Sequence, residues 1–245
     1  MEKKIASLLS VDTNAKTVKG QKRGYLTGIL YLAPSNESGA INVCPHASAG
    51  CRAACLYTAG MGSFSNVKQA RINKTLWFAR DRESFVAQIK KDIAALIRKA
   101  KRMNLIPCVR LNGTSDLPFE NFGIMQEFPK LKFYDYTKNL KRMLRFMAGK
   151  MPANYTLVFS RSETNDKACR AILSKGGNVA MVFAGKELPK HVSFDWPGSW
   201  RKTCKGSHAY KVFNGDKSDL RFLDPTGVIV GLTAKGMARK DNSGF

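Results

Sequence analysis

The sequence is poor in acidic residues: 18 Asp and Glu stand against 41 Lys and Arg, which gives a net charge of +23 and a pI of about 10.0. So large an excess of one sign repels itself, and it is best tolerated where a polyanion supplies the counter-charge. Phosphates neutralised by Lys and Arg release condensed counterions, so nucleic acid, either DNA or RNA, is the predicted partner. The alternative is that the positive charge only keeps the protein soluble.

Long apolar runs are absent as well, which excludes a membrane-spanning helix, and no basic amphipathic helix with an aromatic face indicates membrane binding. Residues 1–10 have too short an apolar run for a signal peptide. We therefore expect a cytoplasmic protein with no membrane partner. In that reducing compartment the six cysteines are predicted to be metal ligands, catalytic thiols or buried residues rather than disulfides.

Short apolar runs alternate with amphipathic segments, which predicts an α/β fold built from βα units and a parallel sheet. The predicted strands are Tyr25–Ala33, Pro107–Leu111, Leu131–Tyr136, Tyr155–Phe159 and Val179–Phe183. The predicted helices are Ser65–Arg80, Glu83–Met103, Phe119–Phe128, Thr137–Met147 and Glu163–Ser174, and Thr137 and Ser162 occupy N-cap positions. We expect a partial (βα) barrel over 25–195, a basic arm over 1–24 and a C-terminal cap over 196–245.

Three cysteines lie close together in CPHASAGCRAAC, residues 44–55, with the spacing C-x6-C-x3-C. Iron–sulfur clusters need several thiolates that converge on one inorganic core, commonly from one loop and a distant residue. Structural zinc prefers paired C-x2-4-C knuckles, and only the second spacing fits that pattern. The segment, called here the cysteine loop (residues 43–62), predicts a 4Fe–4S cluster on Cys44, Cys51 and Cys55, with zinc as the alternative.

The other three cysteines have different surroundings. Cys108 lies in a predicted strand and Cys169 on an amphipathic helix, so both are predicted core residues. Cys204 lies in a polar, basic segment with nothing apolar to bury it, and it is the predicted fourth ligand. His46 and His208 are the substitutes for it.

Polar groups follow the predicted strands, where functional side chains collect in parallel α/β folds. Asp116, Asp135 and Glu163 are the candidate acids, bases or ligands, although they fit ion pairs with nearby Arg and Lys equally well. No HExxH, phosphate-binding glycine loop or Ser/His/Asp order is present. The predicted phosphate contacts share a positive charge and lie on two helices, at strand ends or beside Cys204. They are Lys90, Lys91, Arg98, Lys99, Lys138, Arg142, Arg161, Arg201, Lys202 and Lys205.

A cysteine loop directly after the first strand of a (βα) barrel resembles the layout of radical-SAM enzymes. In those enzymes three cysteines hold a 4Fe–4S cluster whose open iron binds S-adenosylmethionine. The chain departs from that layout in its spacing, since the usual motif is C-x3-C-x2-C. It also lacks a clear glycine-rich motif after the second strand.

The chain also resembles a bacteriophage protein family of the gene product 88 type. The matching segments are the cysteine loop, RLNGTSD (110–116), YDYTK (134–138), FSRS (159–162), DKSDLRFLD (216–224) and GLTAKG (231–236). The resemblance implies a phage or mobile-element origin, and therefore a location in the host-cell cytoplasm. It says little about the mechanism of the protein.

Three hypotheses follow from these patterns. The first is a phage-type, nucleic-acid-binding iron–sulfur protein with a mainly structural cluster. The second is a divergent radical-SAM-like enzyme acting on nucleic acid, which requires one open iron and therefore only three cysteine ligands. The third is a zinc-stabilised nuclease that uses Asp116 or Glu163.

Overall fold

The structure is a computed structural model that describes residues 5–12, 15–185, 187–195, 199–203 and 209–245. The strands in this part of the chain are β1 Leu9–Val11, β2 Tyr25–Leu30, β3 Ile106–Arg110, β4 Lys132–Thr137, β5 Tyr155–Ser160, β6 Val179–Phe183, β7 His191–Asp195, β8 Ser199–Thr203, β9 Ala209–Asn214 and β10 Ile229–Thr233. The α-helices are α1 Ala15–Gln21, α2 Ala49–Ala53, α3 Ser65–Arg80, α4 Arg82–Arg102, α5 Ile124–Glu127, α6 Leu140–Met147 and α7 Asp166–Ser174.

The sheet is mostly parallel, which confirms the predicted α/β class. Its strand order is β1-β2-β3-β4-β5-β6-β10-β9-β7-β8. Strands β2 to β6 pair in parallel in chain order, and β10 and β9 continue the parallel run. β1 pairs antiparallel with β2, and β7 pairs antiparallel with both β8 and β9. In the described part of the chain the sheet has two edges, β1 and β8, and is not closed into a barrel.

One face of the sheet is covered by a helix layer, consisting of α4, α6 and α7. Alternate strand residues such as Val109, Phe133 and Leu157 point to this face and join the main core. From α4 the buried positions Phe85, Ile89, Ile93 and Leu96 follow the helical period. Fully burying such side chains stabilises a fold by about 1.5–3 kcal/mol each. The helix layer leaves the basic side of α4 outermost.

The opposite face, called here the inner face, is covered by the segment 215–224. Leu220 of that segment forms a small core with Cys108 of β3 and Tyr134 of β4, and the ring of Phe222 lies 5.7 Å from that of Tyr134. The last parallel strand, β10, lies in the region 196–245 and hydrogen-bonds to β6.

Several local predictions need correction. The helix predicted over 119–128 is a 3-10 turn, Phe119–Phe122, followed by the short α5, because Gly123 adopts a left-handed φ of 70° between them. Thr137 is not an N-cap: α6 begins three residues later, and the side chain of Asn139 accepts from Arg142 N at 3.2 Å. Ser162 is not an N-cap either, since Asn165 occupies that position of α7.

Candidate metal centre at the carboxyl edge of the sheet

The cysteine loop follows β2 and is fastened to the segment that follows β3. Upstream of the loop, Leu32 O accepts a hydrogen bond from Thr114 Oγ1 at 2.6 Å. At its start, Val43 O accepts one from Asp116 N at 2.8 Å. Because both partners follow β3, the loop lies at the carboxyl edge of the parallel strands.

Glu163, just after β5, holds the middle of the cysteine loop. Its carboxylate accepts from Ser48 Oγ at 2.6 Å and from Gly50 N at 2.8 Å, at the start of α2. Burial raises the pKa of Glu163, but these two hydrogen bonds, the residue's own backbone N–H and the charge of Lys138 together leave the pKa below its usual value. The carboxylate therefore has a positioning role: it joins the loop to a strand more than 100 residues away in sequence.

The three thiols of the loop are half-buried and free of disulfides. Burial raises the pKa of all three, that of Cys44 to about 12, and the charges of Cys51 and Cys55 raise the pKa of Cys44 further. The three residues are thus close enough to interact electrostatically. Among the described residues, however, no three His, Cys, Asp or Glu side chains are grouped as a single metal ion requires.

Two half-buried cations face these thiols from other elements. Lys138, directly after β4, interacts with Cys51, and its Nζ donates to Ser160 Oγ and Arg161 O, both at 3.1 Å. Arg71 of α3 interacts with Cys55, and its guanidinium lies 5.1 Å from the centre of the Tyr31 ring. Sequence reasoning missed Arg71, because nothing local distinguishes it from the other cations of α3.

Two of the candidate acids are engaged in the fold. Asp116 accepts from Thr137 Oγ1 and Lys138 N at 2.8 Å each, and from Arg142 Nη1 at 2.6 Å. Asp135 is only 1% exposed and accepts from Asn112 N at 2.7 Å. Both carboxylates thus hold strand ends and their following loops in place.

The inner face carries a polar group of side chains around Arg110, to which sequence reasoning assigned no role. The guanidinium of Arg110 lies 4.7 Å from the centre of the Tyr136 ring and donates to Asp219 Oδ2 at 3.0 Å. Arg110 Nε and the Tyr136 hydroxyl are buried and have no hydrogen-bond partner. Tyr31, whose ring contacts Arg71, also interacts electrostatically with Arg110.

The C-terminal residues cover the cysteine loop. Arg161 Nη1 donates to Gly244 O at 2.5 Å, and Lys138 Nζ lies 4.9 Å from the centre of the Phe245 ring. A Cβ on Gly50 would come within 2.9 Å of Phe245 Cβ, so this approach requires glycine.

The predicted phosphate contacts fall into three groups. Lys91 and Arg98 are exposed on α4, whereas Lys90 pairs with Glu127 at 2.6 Å and Lys99 pairs with Asp12 at 2.7 Å. Arg161 pairs with Asp166 at 2.8 Å, and Lys138 bonds inside the site as described above. The third group lies outside the described residues: Lys205, the side chains of Arg201 and Lys202, and with them the predicted ligand Cys204 and its substitute His208.

The prediction for Arg142 is wrong. Its side chain is buried and donates to both oxygens of Glu120, at 2.9 and 2.8 Å, which leaves it no access to a phosphate backbone.

The prediction of Cys108 and Cys169 as core residues is confirmed, since both are 0% exposed. The substitute ligand His46 is exposed on the cysteine loop.

The fold and the site define a mostly parallel α/β protein with a thiol-bearing loop after its first parallel strand. The chain belongs to the gene product 88 family, whose model matches residues 7–245. Comparison with curated proteins and with solved structures found no match. Over the residues that the structure describes, no helix has both the length and the apolar character needed to cross a bilayer.

The variant Glu163→Ala is expected to release the cysteine loop. It removes the charge-assisted hydrogen bonds to Ser48 and Gly50; the one made by Gly50 N is worth about 1.5–3 kcal/mol, so amide exchange of Gly50 should speed up by roughly 10- to 100-fold. Hydrogen exchange of the segment 48–55, followed by mass spectrometry, measures this. Thr164→Ala, at the exposed neighbouring position, is the matched control, and equal exchange in the two variants would show that Glu163 does not hold the loop.

Proposed function

We propose that the protein is an iron–sulfur protein that binds nucleic acid, with its cluster held by Cys44, Cys51 and Cys55 at the carboxyl edge of the sheet. The observation that carries the proposal is a loop that bears three thiols without disulfides within twelve residues, with the cation Arg71 of α3 interacting with one of them. A 4Fe–4S group takes thiolates from such a loop and completes its ligand set with one distant residue. Cys204 is the proposed distant residue.

Arg71 supplies the strongest support. Its Nε and Nη1 are buried without a hydrogen-bond partner, and no carboxylate is among the groups that influence its charge. A buried guanidinium without an anion is costly. Neutral thiols provide no counter-charge, whereas a thiolate-bound cluster beside Cys55 does. Arg71, rather than the exposed Arg52, therefore offsets the charge of the proposed cluster.

The zinc alternative fits less well. Four sulfurs around one zinc ion at 2.3 Å stand about 3.8 Å apart, and a cluster spreads its thiolates more widely because several iron atoms lie between them. The described thiols are not grouped for a single ion. The two acids named for a zinc-stabilised nuclease, Asp116 and Glu163, are both engaged in hydrogen bonds within the fold.

The nucleic-acid part of the proposal rests on where the charges lie. Four of the scarce acidic residues are buried inside the fold: Asp92, Glu120, Asp135 and Asp219. Two arginines, Arg142 and Arg221, are buried as well, so among these buried residues burial takes more negative than positive charge off the surface. Exposed cations on the helix layer include Lys91, Arg98, Lys101 and Arg102 on α4 and Lys141 and Arg145 on α6. Such a surface attracts a phosphate backbone without sequence preference.

A second candidate function, a radical-SAM-like enzyme, is favoured by the inner face. Sequential parallel strands with helices on one side are typical of a partial (βα) barrel, and Arg110 and Tyr136 place unsatisfied polar atoms on its inside. When bound, a cluster with an open iron supplies the reductive chemistry of that class. The chain's own residues would bind and orient the substrate against the inner face.

Anaerobic purification with iron and sulfide assays tests the proposal. The parent protein is expected to contain both elements, and Cys44→Ala, Cys51→Ala and Cys55→Ala should each lose most of the iron. The buried Cys108→Ala and Cys169→Ala are the matched controls and should keep it. Zinc without iron in the parent protein, or an unchanged iron content in the three loop variants, would contradict the iron–sulfur proposal.

The same assay on Cys204→Ala separates the two candidate functions. Loss of the cluster indicates four cysteine ligands and a structural role. A retained cluster whose absorption spectrum changes on addition of S-adenosylmethionine indicates an open iron and the enzyme.

A further inference from the structure

Four large apolar side chains are exposed on the outer side of the cysteine loop. Leu56 is 53% exposed, Met61 57%, Phe64 59% and Met237 48%. The first three lie between Cys55 and the start of α3, and Met237 lies in the C-terminal 3-10 turn Gly236–Lys240. We call these four residues the apolar patch.

The patch is held together by close backbone packing. Met237 N donates to Thr58 Oγ1 at 3.1 Å, which joins the C-terminal turn to the cysteine loop. A Cβ on Gly236 would lie 2.6 Å from Thr58 Oγ1, and one on Gly62 would lie 2.6 Å from Tyr57 O. The two turns approach too closely for side chains at these glycines. The patch is therefore preformed rather than a loose arrangement of loops.

Exposed cations flank the patch along the chain. Arg52 precedes Leu56, Lys68 follows Phe64 in the first turn of α3, and Arg239 and Lys240 follow Met237. Lys68 Nζ lies 5.5 Å from the centre of the Tyr57 ring. The nearby acid Glu37 accepts a hydrogen bond from the Tyr57 hydroxyl at 3.1 Å. Exposed apolar side chains and exposed cations thus occur together in the cysteine loop and in the C-terminal turn that is bonded to it.

We propose that the apolar patch binds single-stranded nucleic acid, with bases stacked on Phe64 and phosphates paired with Arg52, Lys68, Arg239 and Lys240. This inference rests on the proposed nucleic-acid binding and gives it a place and a strand preference. The bases of a single strand are free to stack on an exposed aromatic ring. Proteins usually bind such strands by base stacking on aromatic side chains combined with a positively charged surface along the backbone. A duplex keeps its bases stacked inside, so it contacts the cations alone.

Phe64→Ala tests the inference because the side chain is exposed and its removal leaves the core intact. Binding of fluorescent single- and double-stranded oligonucleotides of DNA and RNA is measured by anisotropy at two salt concentrations. Loss of one stacking contact should weaken single-strand binding by about 5- to 100-fold and leave duplex binding within about twofold. Ile106→Ala, at a 54% exposed position at the start of β3, away from both the patch and the basic helix layer, is the matched control and should change neither.

Lys68→Gln gives a second, electrostatic readout. Removing one phosphate contact should reduce the slope of log affinity against log salt by about 0.7 for single strands. If the parent protein binds no nucleic acid even at low salt, the proposed function itself fails. If it binds but Phe64→Ala and Ile106→Ala behave alike, the patch is not the nucleic-acid site, and a protein partner fits it better.

Discussion

Arg142→Met is expected to lower the free energy of unfolding by about 3–5 kcal/mol, because it breaks a buried ion-pair network by removing the cation at its centre. Arg142 donates to both oxygens of Glu120, and Nη1 donates to Asp116 Oδ1. The Glu120 side chain is 1% exposed, so in the variant its charge stays buried without a partner. Urea denaturation followed by circular dichroism measures the loss.

Arg145→Met, three residues further along the same helix, is the matched control. Its side chain is exposed, and its replacement should change the free energy of unfolding by no more than about 0.5 kcal/mol. The double variant Glu120→Gln, Arg142→Met should have a higher free energy of unfolding than Arg142→Met alone, since the side chain at position 120 is then uncharged. A loss below about 1 kcal/mol in Arg142→Met would show that the network does not hold α6 to the sheet.

The expected loss in Arg142→Met also affects the candidate metal centre. Asp116 accepts from Arg142 and from Lys138 N, while its own amide donates to Val43 O at the start of the cysteine loop. The network therefore connects the helix layer to the loop through one carboxylate. Iron content of Arg142→Met should fall only as far as the folded fraction falls, because the arginine contacts no thiol.

The fold was predictable where burial follows a regular period. The positions Phe85, Ile89 and Ile93 repeat as a helix requires, and the short apolar runs before each turn are typical of buried parallel strands. Helix starts were less predictable. Thr137 has the chemistry of an N-cap, but its hydroxyl donates to Asp116, which is 21 residues away, and Asn139 caps α6 instead. Tertiary hydrogen bonds overrode the local preference.

The candidate site was predictable only in its local part. The three thiols are identifiable because they lie within twelve residues of sequence. Arg71, Arg110 and Phe245 reach the same edge from elements far apart in the chain, and no local pattern marks them. The prediction that Arg142 contacts phosphate failed for the same reason. Its charge indicates a surface position on α6, and only its pairing with Glu120, 22 residues earlier, explains its burial.

Asp135→Asn is expected to flatten the dependence of stability on pH. Burial raises the pKa of Asp135 from its usual 3.8 to about 6, although Arg110 and the hydrogen bond from Asn112 N oppose that rise. Folding thus favours the protonated form. The stability that this proton contributes is complete below pH 3.8 and is lost as the pH rises through about 6. A shift of this size corresponds to roughly 3 kcal/mol in the free energy of unfolding.

The parent protein and the variant are compared by urea denaturation at intervals between about pH 4 and 7.5, which spans the two pKa values. The amide that Asp135→Asn introduces stays neutral throughout, and its oxygen can still accept from Asn112 N. The difference in stability between variant and parent should therefore shift in favour of the variant as the pH rises. Asp166→Asn, which removes a half-buried carboxylate paired with Arg161, is the control and should not show that shift. Parallel pH profiles for the parent and Asp135→Asn would mean that Asp135 is ionised in the folded protein at about pH 5, with Arg110 and Arg142 outweighing its burial.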